Sequence, residues 1–170
     1  PEATFADTRF LSTLDDRDYK AGICEAIKMA TTSDKNFAQK FLEDESVCKF
    51  RKRDMSWLEE IGTWSVKTKL SHVSDDATEK GTRLILNYGH TFGQSIESFY
   101  GVNQDFLRHG EAVALGMMCA AKASAIRENS SLTSECYTYT KLVLEKYELP
   151  TSIKMLGIDK LPPRAALTEN

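Results

Sequence analysis

Apolar residues recur at intervals of three and four along most of this chain, and no segment alternates apolar and polar residues convincingly at period two. The three-to-four interval places apolar side chains on one face of an α-helix, whereas a half-buried strand needs strict alternation. In residues 17–30, for example, Ile23, Ile27 and Ala30 follow the helical interval. The chain is therefore predicted to fold as a mainly α domain with few strands.

Six segments carry the helical pattern, and they span residues 17–30, 33–46, 54–73, 75–101, 108–128 and 131–150. Short polar side chains that can accept hydrogen bonds from first-turn amides predict the helix starts: Asp15 or Asp16 for the first helix, and Ser33 or Asp34 for the second. The fourth segment is predicted to break into two helices near Gly89, because glycine interrupts helices. The fifth segment is the most apolar and is predicted to be a tightly packed central helix. Residues 72–81 are predicted to form a polar surface loop.

Composition limits the classes of protein to which the chain can belong. Its 170 residues are enough for one domain with a substantial core. The net charge of −3 argues against a nucleic-acid-binding protein, and no apolar run is long enough to cross a membrane. No signal peptide is visible, so a cytoplasmic protein is expected. The chain starts at Pro1, and its last residues close no obvious element, so we interpret it as part of a longer protein.

Neither the cysteines nor the basic residues indicate a site by themselves. No CxxC pair occurs among the four cysteines, Cys24, Cys48, Cys119 and Cys136. They are interpreted as buried thiols of a reducing compartment, not as a disulfide framework. The basic run KFRKRD at residues 49–54 is interpreted as a solvated helix end or linker, in preference to a phosphate-binding patch.

Two charged residues occur within an apolar helical segment. Glu25 and Lys28 are three positions apart in GICEAIKMA, so they share a helix face. A charge on such a helix must be paired, coordinated to a metal or turned toward solvent. Two interpretations remain open: the side chains form an exposed ion pair, or both have a functional role.

Two of the three histidines stand next to glycines, which let a backbone or a ligand approach closely. His90 follows Gly89, and His109 precedes Gly110; each opens an apolar helical stretch. Two histidines and one carboxylate form a frequent catalytic zinc set. His90 and His109 are too far apart in the sequence for a local metal motif. An alternative interpretation therefore remains, in which each is a core histidine whose hydrogen bonds are satisfied. His72 lies in a polar stretch and is interpreted as a surface residue.

A polar stripe is predicted around His90. Arg83, Asn87, His90 and Gln94 follow one another at helical intervals and would share one face of a helix. The rigid fork of arginine suits a carboxylate or a phosphate, which favours a functional stripe. A solvated helix face explains the same pattern equally well. Lys69, in VKTKL, would by itself be interpreted as a surface lysine.

Taken together, three segments resemble the C-terminal metal-binding domain of the 3-dehydroquinate synthase family and of the wider sugar-phosphate cyclase superfamily. These segments read GICEAIKMA, EKGTRLILNYGHTFGQSIE and HGEAVALGM, and the opening FADTRFLSTLDDRDYKAG fits the segment that precedes them. The resemblance extends from about Phe5 to Ile153. It implies the helical C-terminal domain of a two-domain fold whose N-terminal NAD-binding α/β domain is absent from this chain. Residues 1–170 would then be one helical metal- and substrate-binding domain.

The resemblance also implies roles for individual residues. Glu25, His90 and His109 match the family's metal ligands, with Zn²⁺ as the expected ion and Co²⁺ as a substitute. The residues that match its catalytic and substrate-contacting positions are Lys28, Lys69, Arg83 and Asn87. The retained lysine and arginine favour a substrate that carries a carboxylate. Gln94 departs from the family, which usually has a second active-site histidine at this position. Unlike a histidine, the amide of Gln94 cannot transfer a proton near neutral pH.

The implied activity is that of a lyase of the shikimate pathway, which supplies aromatic amino acids. It would eliminate phosphate from 3-deoxy-arabino-heptulosonate 7-phosphate and close the carbocycle of 3-dehydroquinate, with NAD and a metal. Family members are commonly homodimers, and neither nucleic acid nor membrane is expected as a partner. Three alternatives remain: a cyclase for an amino analogue or sedoheptulose 7-phosphate, the less favoured iron-dependent alcohol dehydrogenases, and a non-catalytic helical dimerisation domain. The isolated chain is not expected to bind NAD well or to turn over.

Overall fold

A computed structural model describes residues 5–76, 78–100 and 106–158. Within these ranges the chain forms seven α-helices and three short 3-10 helices, and no strand occurs there. The α-helices are α1 Asp16–Ser33, α2 Lys35–Leu42, α3 Asp44–Arg51, α4 Met55–Asp75, α5 His90–Tyr100, α6 His109–Glu128 and α7 Ser131–Lys146. The 3-10 helices are Thr8–Thr13, Thr82–Asn87 and Ile153–Leu156. The mainly α prediction is confirmed.

Side chains just before the helices explain where several of them begin. The Asp15 carboxylate accepts hydrogen bonds from the first-turn amides of α1, and Asp34 does the same for α2. Asp54 and Ser130 cap α4 and α7 in the same way. Each cap satisfies backbone amides that have no partner inside the helix. The two predicted N-terminal boundaries are therefore confirmed, at Asp15 and at Asp34.

The predicted break at Gly89 is present and separates a 3-10 helix from α5. Gly89 has a φ of 81°, in the left-handed region that glycine adopts without steric cost. A Cβ atom there would also lie 2.7 Å from Cγ of Met117 on α6. The polar loop is shorter than predicted, because α4 continues to Asp75. His72 lies on α4, is half-buried, and its Nε2 is 2.9 Å from Oγ of Ser33.

Helix α6 is buried on most sides and packs against α1, α5 and α7, as expected for a central helix. Two glycines on α6 set the distances to its neighbours. A Cβ atom at Gly110 would overlap the Ala21 carbonyl of α1, and one at Gly116 would overlap the Gly89 carbonyl at the start of α5. Backbone therefore lies against backbone at both contacts. This close packing brings the beginnings of α5 and α6 to the middle of α1.

The interpretation of the cysteines as buried thiols is wrong for three of the four. Cys24 is fully buried on α1, whereas exposed thiols are found at Cys48, Cys119 and Cys136. These three cysteines lie on helix faces that turn away from the core. The sequence did not show this exposure, because so small a side chain does not indicate which face of a helix it occupies. All four thiols are free.

The basic run at residues 49–54 ends α3, as its interpretation predicted. Lys49 pairs with Glu45 on the same helix, at 2.7 Å. Arg53 has a structural role that the pattern did not reveal, because its guanidinium donates hydrogen bonds to the carbonyls of Leu11 and Leu14. It thereby fastens the first 3-10 helix to the helical core.

Among the described helices, none combines the length and the apolarity needed to cross a membrane.

Candidate metal centre

Three side chains that can ligate a metal meet where α1, α5 and α6 approach one another. Glu25 lies on α1, while His90 and His109 are the first residues of α5 and α6. One ligand atom from each residue lies within 4.8 Å of the others. Oε1 of Glu25 is 3.6 Å from Nε2 of His90 and 3.9 Å from Nε2 of His109. Residues separated by up to 84 positions thus form one cluster of two imidazoles and a carboxylate.

The environment of Glu25 fits a metal ion. Its Oε1 atom is shielded from solvent and has no hydrogen-bond partner, although two imidazole nitrogens face it. Both separations are too long for a hydrogen bond. They are close to the distance of roughly 3.3–3.6 Å expected between two ligands of a tetrahedral zinc ion with bonds of about 2.0–2.2 Å. Two imidazoles and one carboxylate can therefore hold such an ion and leave a position for substrate or water.

The other ring nitrogen of each histidine is held by an acceptor. Nδ1 of His109 is 3.0 Å from Oε2 of Glu97, and Nδ1 of His90 is 3.4 Å from the carbonyl oxygen of Tyr88. An acceptor at Nδ1 keeps the proton on that nitrogen and leaves Nε2 free as a ligand. Both Nε2 atoms therefore face Glu25 as lone-pair donors. Glu97 was not predicted as a site residue, although its position seven residues after His90 places both on one helix face.

Lys28 is buried beside the centre, so the interpretation of Glu25 and Lys28 as an exposed ion pair is wrong. The ion pair itself is present, because Nζ of Lys28 is 2.8 Å from Oε2 of Glu25. Nζ also donates a hydrogen bond to the carbonyl of Leu86, at 2.7 Å, and only 4% of the side chain is exposed. Lys28 thus holds one carboxylate oxygen of Glu25 and leaves the other to face the histidines.

The charge on Lys28 also affects His90. Burial, and after it the nearby Lys28 ammonium, lower the pKa of His90 below its ordinary value of 6.5. Both effects disfavour a positive charge on the imidazole. The neutral imidazole is the form that binds a metal, so this environment favours the ligand state of His90.

The predicted stripe of four polar residues on one helix does not form. Arg83 and Asn87 lie on the 3-10 helix, and the break at Gly89 separates them from His90 and Gln94 on α5. Gln94 lies one turn after His90 and is exposed. The stripe prediction failed because it extended one helical interval across Gly89, where the predicted break and a positive φ change the direction of the chain.

Glu79 connects Arg83 to Asn87 instead. Nδ2 of Asn87 donates a hydrogen bond to Oε1 of Glu79 at 2.7 Å, and Nε of Arg83 is 3.9 Å from Oε2. Before this 3-10 helix, the Asp76 carboxylate accepts hydrogen bonds from the amides of Lys80 and Gly81. These hydrogen bonds lower the pKa of Asp76. Neither Glu79 nor Asp76 was predicted as a site residue, because their hydrogen bonds depend on the turn of the chain before the 3-10 helix and not on the interval of a regular helix.

Lys69 is exposed on α4 and lines a cavity that Glu25 also lines. The geometry therefore gathers Glu25, Lys28, His90 and His109 tightly, and it brings Lys69 to the same region. Arg83 and Asn87 lie on the same 3-10 helix as Leu86, whose carbonyl accepts a hydrogen bond from Lys28. This hydrogen bond connects that 3-10 helix to the centre.

The family model described as 3-dehydroquinate synthase C-terminal matches residues 22–167. The chain belongs to the 3-dehydroquinate synthase family. This match covers the whole cluster of candidate ligands.

Curated 3-dehydroquinate synthases are similar to the chain over most of its length. The protein from Sulfurimonas denitrificans is 41% identical over 152 residues, which cover 89% of this chain and 41% of that protein. The protein from Helicobacter pylori strain P12 is 36% identical over 170 residues, which cover 98% of this chain and 45% of that protein. The chain thus spans about two fifths of the length of these synthases.

A solved structure supports the same fold. It is ValA, a 2-epi-5-epi-valiolone synthase from Streptomyces hygroscopicus subsp. jinggangensis 5008, with NAD+ and Zn2+ bound. The TM-score is 0.73 at 24% identity, and the match covers 95% of this chain and 43% of ValA. The chain therefore shares the fold of the matched part of ValA.

Proposed function

We propose that this chain is the metal- and substrate-binding part of a 3-dehydroquinate synthase. The complete enzyme would eliminate phosphate from 3-deoxy-arabino-heptulosonate 7-phosphate and close the ring of 3-dehydroquinate, with NAD held mainly by an N-terminal domain. Membership of the family and identities near 40% to curated synthases support this proposal. We further expect a cytoplasmic homodimer, as in the family.

The observation that carries the proposal is the unpartnered Oε1 of Glu25, which faces Nε2 of both His90 and His109. A shielded carboxylate oxygen without a partner is costly unless a ligand satisfies it. A divalent ion, Zn²⁺ or Co²⁺, would satisfy it and would polarise a substrate oxygen, while NAD would accept and return a hydride.

The remaining residues would orient and neutralise the substrate. The ammonium of Lys69 and the guanidinium of Arg83 would pair with its carboxylate or phosphate, and Asn87 would donate a hydrogen bond. Lys28 would act through Glu25, because its Nζ is already engaged by Oε2 and by the Leu86 carbonyl. It would keep the carboxylate turned so that Oε1 faces the two histidines.

Gln94 is the observation behind a second candidate, a related cyclase with another substrate such as sedoheptulose 7-phosphate or an amino analogue. Its amide can donate and accept hydrogen bonds but cannot shuttle a proton. A synthase with this residue would rely on another group or on the substrate itself for proton transfer. The identity of the product separates the two candidates.

The test is a product assay on the complete protein that contains this chain, supplied with NAD, zinc and either heptulosonate 7-phosphate or sedoheptulose 7-phosphate. We expect phosphate release and 3-dehydroquinate from the first substrate only. Glu25→Gln should reduce the rate by at least about a hundredfold, because it removes an anionic ligand. Glu135→Gln, an exposed carboxylate on α7, is the matched control and should leave the rate unchanged. Turnover of sedoheptulose 7-phosphate alone would favour the second candidate, and no turnover would favour a non-catalytic domain.

A further inference from the structure

Glu111 is a buried carboxylate on the first turn of α6, two residues after the candidate ligand His109 but outside the ligand cluster. It is 6% exposed, and each of its carboxylate oxygens accepts a hydrogen bond of 2.7 Å from the guanidinium of Arg17. Oε2 also accepts a hydrogen bond from the backbone amide of Arg108, at 2.9 Å. A carboxylate this deeply buried is stable only when it is paired. The bidentate geometry also fixes the relative orientation of the two side chains.

Arg17 lies on the first turn of α1 and connects it to α6 in two ways. Besides binding the carboxylate, its Nη2 donates a hydrogen bond to the carbonyl of Phe106, at 2.8 Å. Phe106 lies three residues before His109, in the segment that leads into α6. The guanidinium of Arg108 adds another connection, because it pairs with Asp18 on α1. The start of α6 is thus attached to the start of α1 by charged side chains.

The contacts between α1 and the first turn of α6 follow a regular register. Three successive residues of α6 meet residues that are spaced four apart, on one face of α1. The three pairs are Arg17 with Glu111, Ala21 with Gly110, and Glu25 with His109. In the middle pair the two backbones are in contact, since a Cβ atom at Gly110 would lie 2.0 Å from the Ala21 carbonyl oxygen. The ion pair lies on one side of this contact, and the candidate ligands lie on the other.

His109 needs such support because it is the first residue of its helix. The first amides of a helix have no acceptor inside it, and helix ends fray. A metal centre requires ligands that the surrounding residues hold in place. Glu97 fixes the ring of His109 through Nδ1, but it does not hold the backbone of the first turn.

We propose that Arg17 and Glu111 are positioning residues of the metal centre. Their ion pair holds the first turn of α6 against α1, and it thereby keeps Nε2 of His109 facing Oε1 of Glu25. Arginine is required at position 17, because its planar fork binds both carboxylate oxygens and the Phe106 carbonyl at once, which a lysine cannot do. This inference rests on the metal-binding part of the proposed function.

The test compares Arg17→Lys with Arg53→Lys in the complete protein. Arg53 is the matched control, because its guanidinium also pairs with an aspartate, Asp16, and also donates to backbone carbonyls, but these partners lie at or before the start of α1. Both variants should lower the melting temperature, because each loses hydrogen bonds. Only Arg17→Lys should also weaken zinc binding, by roughly tenfold. Only this variant should shift the visible absorption bands of the cobalt-loaded protein, which report the geometry of the ligands.

Glu111→Gln tests the other half of the ion pair. It should weaken zinc binding about as much as Arg17→Lys does, roughly tenfold. The double variant should bind zinc about as tightly as either single variant, because both substitutions remove the same interaction. A double variant whose loss equals the product of the two single losses would show that the residues act independently, and it would overturn the proposal.

Amide hydrogen exchange tests the same ion pair without metal. The amide of Ala112 donates to the Arg108 carbonyl at 3.0 Å, and it should exchange roughly tenfold faster in Arg17→Lys but not in Arg53→Lys. Unchanged zinc affinity in Arg17→Lys, or an equal loss in Arg53→Lys, would overturn the proposal. An unmodified protein that bound no zinc would overturn the proposed function instead. Faster exchange confined to Arg17→Lys would then still support the attachment of α6 to α1, and unchanged exchange would overturn that as well.

Discussion

Glu97 is the residue whose role depends most on tertiary structure. It lies on α5, and its carboxylate is 3.0 Å from Nδ1 of His109, on α6. Helical spacing relates Glu97 to His90, but only the packing of α5 on α6 brings it to His109. Sequence patterns could thus suggest the candidate ligands and still miss the group that orients one of them.

Replacing Glu97 by alanine is expected to weaken zinc binding by roughly 10–100-fold, because the His109 ring loses the acceptor that fixes its orientation. Glu97→Gln should cost less, since its amide oxygen still accepts a hydrogen bond. Competition with a chelating dye measures both affinities. Glu135→Ala, on the exposed side of α7, serves as the control. Equal affinity for Glu97→Ala and the unmodified protein would show that the contact does not position His109.

His90 is expected to titrate below 6.5 in the metal-free protein, because burial and the Lys28 ammonium both disfavour its charged form. Protonation competes with metal binding, so a lowered pKa extends zinc binding to lower pH. NMR titration of the His90 ring measures this pKa directly. Lys28→Met should move it upward, toward the ordinary value. A pKa above 6.5 in the unmodified protein would contradict the described environment.

At the scale of helices, the centre depends on the close contact of α5 with α6. The Gly116 position allows this contact, since a Cβ atom there would overlap the Gly89 carbonyl. Gly116→Ala is therefore expected to lower the free energy of unfolding by about 2 kcal/mol or more and to weaken zinc binding. Denaturant unfolding monitored by circular dichroism measures the first effect.

Gly62→Ala is the matched control for Gly116→Ala. Both glycines lie inside long helices, but a Cβ atom at Gly62 meets nothing within 4 Å. The substitution should raise the free energy of unfolding by up to about 1 kcal/mol, through helix propensity alone. If both variants lost stability equally, close packing at Gly116 would not be what fixes the helix distance.

For the whole molecule, the sequence predicted most of the helices, because caps and apolar intervals are local signals. Residues 33–46 were predicted as one helical segment, but α2 ends at Leu42 and α3 begins at Asp44. Asp15 and Asp34 cap the helices that they were expected to cap, and Gly89 breaks the chain where predicted. The predictions failed where the residue interval of one helix was extended beyond the end of that helix. Arg83 does not share a helix face with His90, because the chain turns at Gly89 between them.

Contacts between distant segments could not be derived from spacing. The cluster of Glu25, His90 and His109 was expected only through resemblance to a family, since the three residues are far apart in the chain. The burial of Lys28 and the exposure of Cys48 also depend on which helix faces meet. Such facts follow from packing, which the periodicity of single helices does not determine.

The central claim is that Glu25, His90 and His109 together bind a metal ion. Calorimetric titration of the complete protein with zinc tests it most directly, beside His90→Ala and the control His72→Ala, a histidine that contacts Ser33 and lies outside the cluster. We expect one tightly bound zinc per chain in the unmodified protein and in His72→Ala, and a loss of tight binding in His90→Ala. Failure of the unmodified protein to bind zinc, or unchanged binding by His90→Ala, would contradict the claim.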